Sequence, residues 1–242
     1  MLPLQVTPLR TSVFHLGQDL NRFVLQSLPD GLREGAILAI TSKIVSLAES
    51  RVVARSEASK RELVIAEADH DLGEVAFECR LTIKHGLFIP SSGIDESNSE
   101  RDEFILYPKD PFGSAQRLYD FLAETFKLRT FGVLMTDSHT LPLRQGVTGI
   151  ALAYWGFHGV RNLVGQTDLF GRTLRMTQVD LADGLAAAAV MMMGEATETC
   201  PLALIENAPV DFSSEIDPKE IQIPMEQDLY YPLYKDRLSP KL

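Results

Sequence analysis

Cysteine is nearly absent: Cys79 and Cys200 are the two in 242 residues. Two thiols cannot staple a scaffold, and a chain of this length does not need one, so a reducing cytoplasm is the expected home. Nor do they suggest zinc. His139 and His158 lie apart without cysteine neighbours and read as ordinary polar histidines. Long apolar runs are also missing. The greasiest stretch, Leu185–Met193, is about half of the roughly 20 residues that a spanning helix requires. The N-terminal stretch holds two prolines and no basic segment ahead of an apolar block, so no secretory signal is expected. Basic charge is scarce: 23 Lys and Arg stand against 33 Asp and Glu, a net charge of −10. That balance argues against nucleic acid and against an anionic membrane surface as partners, because both need cations to neutralise them. Absent too are a Walker-type glycine loop, a GxGxxG turn and a GxSxG elbow, so a nucleotide site here must be of another kind.

What is present is a hydrophobic content of 45%, enough to bury the core of one large domain or two small ones. Asp19–Leu28 has helical spacing, with Leu20, Phe23, Val24 and Leu28 on one face. Ala36–Thr41 reads as a buried strand, and Lys43–Val53 fits strand or helix. The charged stretch Arg55–Glu74 reads as a solvated face. Leu87–Pro90 is a further strand. Pro108–Gly113 reads as a loop before a helix over Ser114–Phe126, with Ser114 as its N-cap. Strands are expected at Phe131–Met135, Gly146–Trp155, Met176–Val179 and Leu202–Glu206, with a helix over Leu181–Met193 that stops at Gly194. The order lacks a regular strand-helix alternation, which points to an α+β fold with mixed sheets and packed helices. Residues 1–207 form the expected main domain. The prolines after Asn207 suggest an extended arm over residues 208–242.

Three segments offer chemistry. Ser91–Asn98 joins a glycine, where backbone could approach a ligand, to the hard oxygens of Asp95 and Asn98, which suit magnesium or manganese. Thr136-Asp137-Ser138 follows an apolar strand, and an Asp emerging from a sheet's end is a common metal ligand. Gly194–Glu198 sets a carboxylate beside a glycine at a helix end. Taken singly, these segments read first as a capped turn, a helix or turn cap, and surface charge. Arg144, Arg161, Arg172 and Arg175 lie between them, and the guanidinium fork suits carboxylate and phosphate.

Taken together, the segments resemble the coenzyme F-420 gamma-glutamyl ligase family. The resemblance runs collinearly from about residue 10 to residue 207. It rests on Gly17–Leu20, Ile40–Ser46, Gly93–Asn98, Thr136–Ser138, Pro142–Gly149, Arg161–Arg175, Ala182–Ala189 and Met193–Ala196. It implies a two-subdomain α+β ligase that forms an intertwined homodimer. The implied enzyme joins L-glutamate to a carboxylate of a deazaflavin precursor through an acyl phosphate. GTP would drive the reaction, with two divalent ions, magnesium or manganese, and potassium as a further ion. Carried over residue by residue, Asp95 and Asp137 hold the first metal and, with Arg144, are catalytic. Ser138 and Glu195 hold the second metal. The nucleotide contacts fall on Thr11, Ser12, Val13, Phe14, Ser42, Lys43, Asn98, Met193, Gly194, Ala196 and Thr197.

This chain also departs from the family pattern. After the metal-binding Asp the family usually reads Thr-Phe-Gly-Arg-Pro-Trp-Arg, and here Ser138–Arg144 reads Ser-His-Thr-Leu-Pro-Leu-Arg. The N-terminal Ile-Pro is replaced by Thr11-Ser12, and a family lysine by Leu47. The phosphate and metal shell is thus kept better than its surroundings. That leaves two other readings: a sister ligase for a different acid, and a catalytically silent homologue that binds nucleotide or a partner protein.

Overall fold

The computed structural model describes residues 2–28, 30–97 and 99–238. In chain order the elements are β1 (Gln5–Leu9), α1 (Leu20–Ser27), β2 (Ile37–Thr41), α2 (Ser42–Ala48), β3 (Val52–Ala54), α3 (Lys60–Glu67), β4 (His70–Glu74), β5 (Arg80–Lys84), β6 (Leu87–Pro90), β7 (Glu103–Ile105) and α4 (Pro111–Phe126). Then come β8 (Gly132–Thr140), β9 (Val147–Trp155), β10 (Val160–Asn162), β11 (Gln178–Asp180), α5 (Leu181–Met193), β12 (Leu202–Glu206) and α6 (Tyr231–Tyr234). The α+β reading holds. The chain divides into two compact units: residues 1–13, 19–41 and 110–221, and residues 14–18, 42–109 and 222–242.

The first unit is built on a mixed five-stranded sheet in the order β1-β12-β2-β8-β9. β2 and β8 are parallel, and the other pairings are antiparallel. Its central strands read as near-continuous apolar runs because they are covered on both faces; Ile37, Leu38, Ala39 and Ile40 are fully buried. On one face α5 lies close to the sheet. Its inward residues Ala182, Ala186 and Ala189 are fully buried and pack with Ile37, Leu134, Ala151 and Tyr154. Small side chains on both surfaces permit that approach. A Cβ at Gly149 of β9 would stand 2.6 Å from the carbonyl carbon of Ala186 and 2.8 Å from Cβ of Val190.

The β8–β9 ladder shifts register between Met135 and Thr136, leaving Leu152 as the extra residue. Next to that bulge the Ala151 amide donates to Asp183 Oδ1 at 2.8 Å, and the Asp183 amide donates to the helix cap Asp180 at 2.9 Å. Burial, the largest cause, pushes the Asp183 carboxyl well above the ordinary aspartate range. The Ala151 amide opposes the shift, and the charge and hydrogen bond of Asp180 add to it. A carboxyl pKa raised by folding stabilises the protein while it is protonated and costs stability as it ionises. Asp183 therefore erodes stability as the pH rises from about 4 through neutrality. Asp183→Asn keeps an acceptor for Ala151 and removes the charge. It is expected to gain about 1–2 kcal/mol over the parent at pH 8 and nothing below pH 4. Urea midpoints at the two pH values check this, and an unchanged difference between them would refute it.

Two expectations about the elements are corrected. The helix expected from Ser114 begins at Pro111, with Asp110 as the N-cap accepting from the Gly113 amide at 3.0 Å. Proline is well suited to a helix's first position, where its missing N–H costs nothing, so Pro111 starts the helix instead of prolonging a loop. Ser114 lies one turn in and is buried. The strand expected to end at Met135 runs on to Thr140, which places Asp137 inside the ladder opposite Ile150.

The second unit contains the two-stranded β3–β7 ladder and the three-stranded β4-β5-β6 meander. The charged stretch after Arg55 contains α3, opened by a capping box between Ser59 and Glu62, and the helix buries its own Val64. Residues 208–221 belong to the first unit and 222–238 to the second. In the first, Glu220 ties the segment down: its carboxylate accepts from the Tyr154 hydroxyl at 2.8 Å and the Gly159 amide at 2.5 Å, and it lies 3.1 Å from His158 Nδ1. In the second, Tyr234 is buried against Leu72 and Ile83, and its hydroxyl donates to Asp228 at 2.9 Å. Among the described residues, no helix is long and apolar enough to cross a membrane.

Candidate functional site

The acidic loop after β6 lies in the second unit. Asp95 is held by its backbone, which exchanges two 2.9 Å hydrogen bonds with Ile105 of β7. That bridge fixes where its carboxylate starts. Oδ1 accepts from the Ser97 amide at 2.7 Å and the Ser97 hydroxyl at 2.8 Å. Oδ2 stands 2.5 Å from Nζ of Lys43, which also reaches the Ser97 hydroxyl at 3.1 Å. Burial, the largest cause, pushes the Asp95 carboxyl up. The Lys43 charge and the hydrogen bonds from Lys43 and Ser97 together outweigh it, and the carboxyl ends below its ordinary value. Asp95 is therefore an ionised, half-buried carboxylate that already faces a cation. The neighbouring Glu96 is engaged elsewhere, by Lys60 and by Arg55 at 2.8 Å. Gly93 is required by packing as well. Its φ is +69°, and a side chain there would run into the ring of Tyr107.

In this unit Lys43 follows the buried Ser42 in the first turn of α2. Phe14 is buried as well. Asn98 lies outside the described residues.

The first unit carries its share of the predicted residues toward the ends of strands of the five-stranded sheet. The parallel strands β2 and β8 bring Thr41 level with Thr136. The Thr41 amide donates to Pro201 ahead of β12, and the Thr11 amide donates to Thr199 at 2.9 Å beyond the end of β1. Thr11, which leads into Ser12 and Val13, thus meets the chain at Thr199, just after the turn of Met193, Gly194, Glu195, Ala196 and Thr197 that leads into β12. Glu198 shapes that turn, its carboxylate accepting from the Ala196 amide at 2.8 Å. Glu195 is exposed.

Strand alternation sorts the pair on β8. Ser138 is level with Gly149, so it lies on the face that α5 covers, and Asp137 lies on the other. His139 shares the Asp137 face and was passed over in the sequence as an ordinary histidine. Its Nδ1 is buried without a hydrogen-bond partner, and burial lowers its pKa, favouring the neutral ring. Only the continuation of β8 past Met135 reveals that relation, and the sequence carried no signal for it. Arg144 lies in the exposed turn between β8 and β9, its amide bonded to the Leu141 carbonyl at 3.2 Å. Leu143 beside it is fully exposed.

The donor set tests the fit of a divalent ion. Asp95 presents an ionised hard oxygen to a position already taken by positive charge, which suits magnesium or manganese. Among the described residues no three His, Cys, Asp or Glu side chains stand together as a metal cage. Magnesium does not require one, since it is typically held by one or two carboxylates with waters and substrate phosphates.

Fold and site together define an α+β protein whose candidate chemistry rests on carboxylates, hydroxyls and an ammonium, with no dinucleotide-binding loop and no nucleophile elbow in its sequence. The sequence model of the F420-0:Gamma-glutamyl ligase family matches residues 8–207, close to the span of the motifs noted above. Among curated relatives, the Coenzyme F420:L-glutamate ligase of Methanothermobacter thermautotrophicus is 33% identical over 80% of this chain and 84% of its own length. That of Methanococcus maripaludis is 34% identical over 82% and 86%, and that of Methanocaldococcus jannaschii 30% over 94% and 96%. The chain belongs to the F420-0:gamma-glutamyl ligase family.

Proposed function

We propose that this protein forms an amide bond between L-glutamate and a carboxylate of a deazaflavin coenzyme F420 precursor, with GTP as the energy source. The observation that carries the reading is Asp95, an ionised carboxylate fixed by Ile105 and Ser97 and facing Lys43, in a chain of this family. The acceptor carboxylate attacks the γ-phosphorus of GTP and displaces GDP. The glutamate amine then attacks the acyl carbon of the acyl phosphate, phosphate leaves, and the amine loses a proton as the amide forms. Two divalent ions, magnesium or manganese, supply neutralising charge at phosphate oxygens when bound, with potassium as a further ion. Asp95 and Asp137 serve as carboxylate ligands, and Ser138 and Glu195 as ligands of the second ion. Lys43, Thr11–Val13 and the turn at Met193–Thr197 serve the nucleotide, and Arg144 serves the reacting carboxylate.

A cytoplasmic homodimer completes the reading. Leu169, Phe170 and Met176, exposed between β10 and β11, offer apolar surface to a second copy.

The test is a product assay by mass spectrometry with GTP, L-glutamate, manganese and the unglutamylated precursor. Addition of glutamyl units is the expected result. A folded, metal-bound protein that adds none would overturn the acceptor assignment. A sister ligase would then take its place. Leu141 and Leu143 favour that alternative, since they leave the β8–β9 turn without the arginine and tryptophan usual in the family.

A further inference from the structure

We propose that Lys43 is a built-in counter-ion that a divalent metal must displace from Asp95, so that one ammonium couples metal binding to nucleotide binding. The inference rests on the metal and nucleotide reading above and deepens it. The two oxygens of Asp95 are used differently. Oδ1 takes two donors from Ser97, at 2.7 and 2.8 Å, which hold the carboxylate plane in place whatever happens at the other oxygen. Oδ2 is met by the Lys43 ammonium at 2.5 Å. A metal ion that takes Oδ2 needs the space and the charge complement that the ammonium now uses, and two cations on one half-buried oxygen repel.

The ammonium is built to move. It sits on a flexible four-carbon stem in the first turn of α2, and its second contact, the Ser97 hydroxyl at 3.1 Å, is a neutral one. The other carboxylate of the loop offers it no alternative, since Glu96 is occupied by Lys60 and Arg55. Once displaced, Lys43 carries an uncompensated charge beside the metal position, and phosphate oxygens are the ligand chemistry that satisfies both cations together. Lys43 thus weakens metal binding when no nucleotide is present and is repaid when phosphate arrives. The coupling is reciprocal: nucleotide tightens metal, and metal tightens nucleotide.

The experiment is a Mn(II) titration of the full chain followed by the EPR signal of free Mn(II), with and without a non-hydrolysable GTP analogue. Lys43→Met and Lys43→Gln remove the charge, Lys43→Arg keeps it, and Asp95→Asn removes the ligand. The parent should bind Mn(II) weakly alone and about tenfold more tightly with the analogue. Lys43→Met and Lys43→Gln should bind Mn(II) alone about tenfold more tightly than the parent and lose most of the analogue's effect. Lys43→Arg should keep the parent's pattern, and Asp95→Asn should lose the tight binding. Equal or weaker Mn(II) binding by both neutral variants overturns the exchange role of Lys43 alone. No Mn(II) binding by the parent or any variant, with or without the analogue, overturns the metal reading and this inference with it.

Discussion

If Asp137 holds a metal ion as proposed, Asp137→Asn is expected to lower the rate of glutamate addition by about a thousandfold or more, because the cation it would hold neutralises phosphate charge in the transition state. The fold should survive. Asp137 is held in β8 by its backbone ladder to Ile150, and an amide of the same shape fits the same half-buried place. A melting temperature within about 2 °C of the parent, measured beside the rate, separates loss of chemistry from loss of structure. Retained activity would overturn the metal role proposed for Asp137. Its position on the face of β8 opposite Ser138 makes the two substitutions distinct, and Ser138→Ala reports on the α5 side of the sheet.

Gly149→Ala is expected to destabilise the first unit by about 3 kcal/mol, because an added methyl has nowhere to go. It meets the backbone of Ala186 and Cβ of Val190, and neither is the movable end of a flexible side chain. α5 and β9 must part to admit it, which opens the packing around Ala151, Ala186 and Ala189. Gly184→Ala on the same helix is the contrast. Nothing lies within 4 Å of the Cβ it would add, and alanine favours the helix, so a gain of about 0.5–1 kcal/mol is expected. Urea midpoints for both variants decide the matter. Equal effects would mean that the α5–β9 contact is looser than the structure shows.

Much of this molecule was legible along the chain because its signals are local. The run Ile37–Thr41 is apolar and short, Leu181–Met193 is alanine-rich and stops at a glycine, and Leu202–Glu206 is a compact hydrophobic run; each forms the element its pattern implies. The collinear motifs from the Gly93 loop to Met193–Ala196 pointed to the family that the comparisons bear out. Net charge and the lack of a long apolar run were likewise plain.

Other features depended on partners distant in sequence. Helix α4 starts at Pro111 because Asp110 caps it, and two prolines and a glycine within six residues had read as loop. β8 extends to Thr140 because β9 supplies a ladder for residues that are polar by themselves. Gly93 answers to the ring of Tyr107, 14 positions away, and Gly149 to α5. The sequence by itself determined which residues could bury, bend or carry charge, since those are properties of a side chain and its near neighbours. Tertiary structure alone decided that Asp95 meets Lys43 while Glu96 is taken by Lys60 and Arg55, and that Asp137 and Ser138 part to opposite faces. Those outcomes follow from strand register and from which cation reaches which oxygen, and neither exists until the chain has folded.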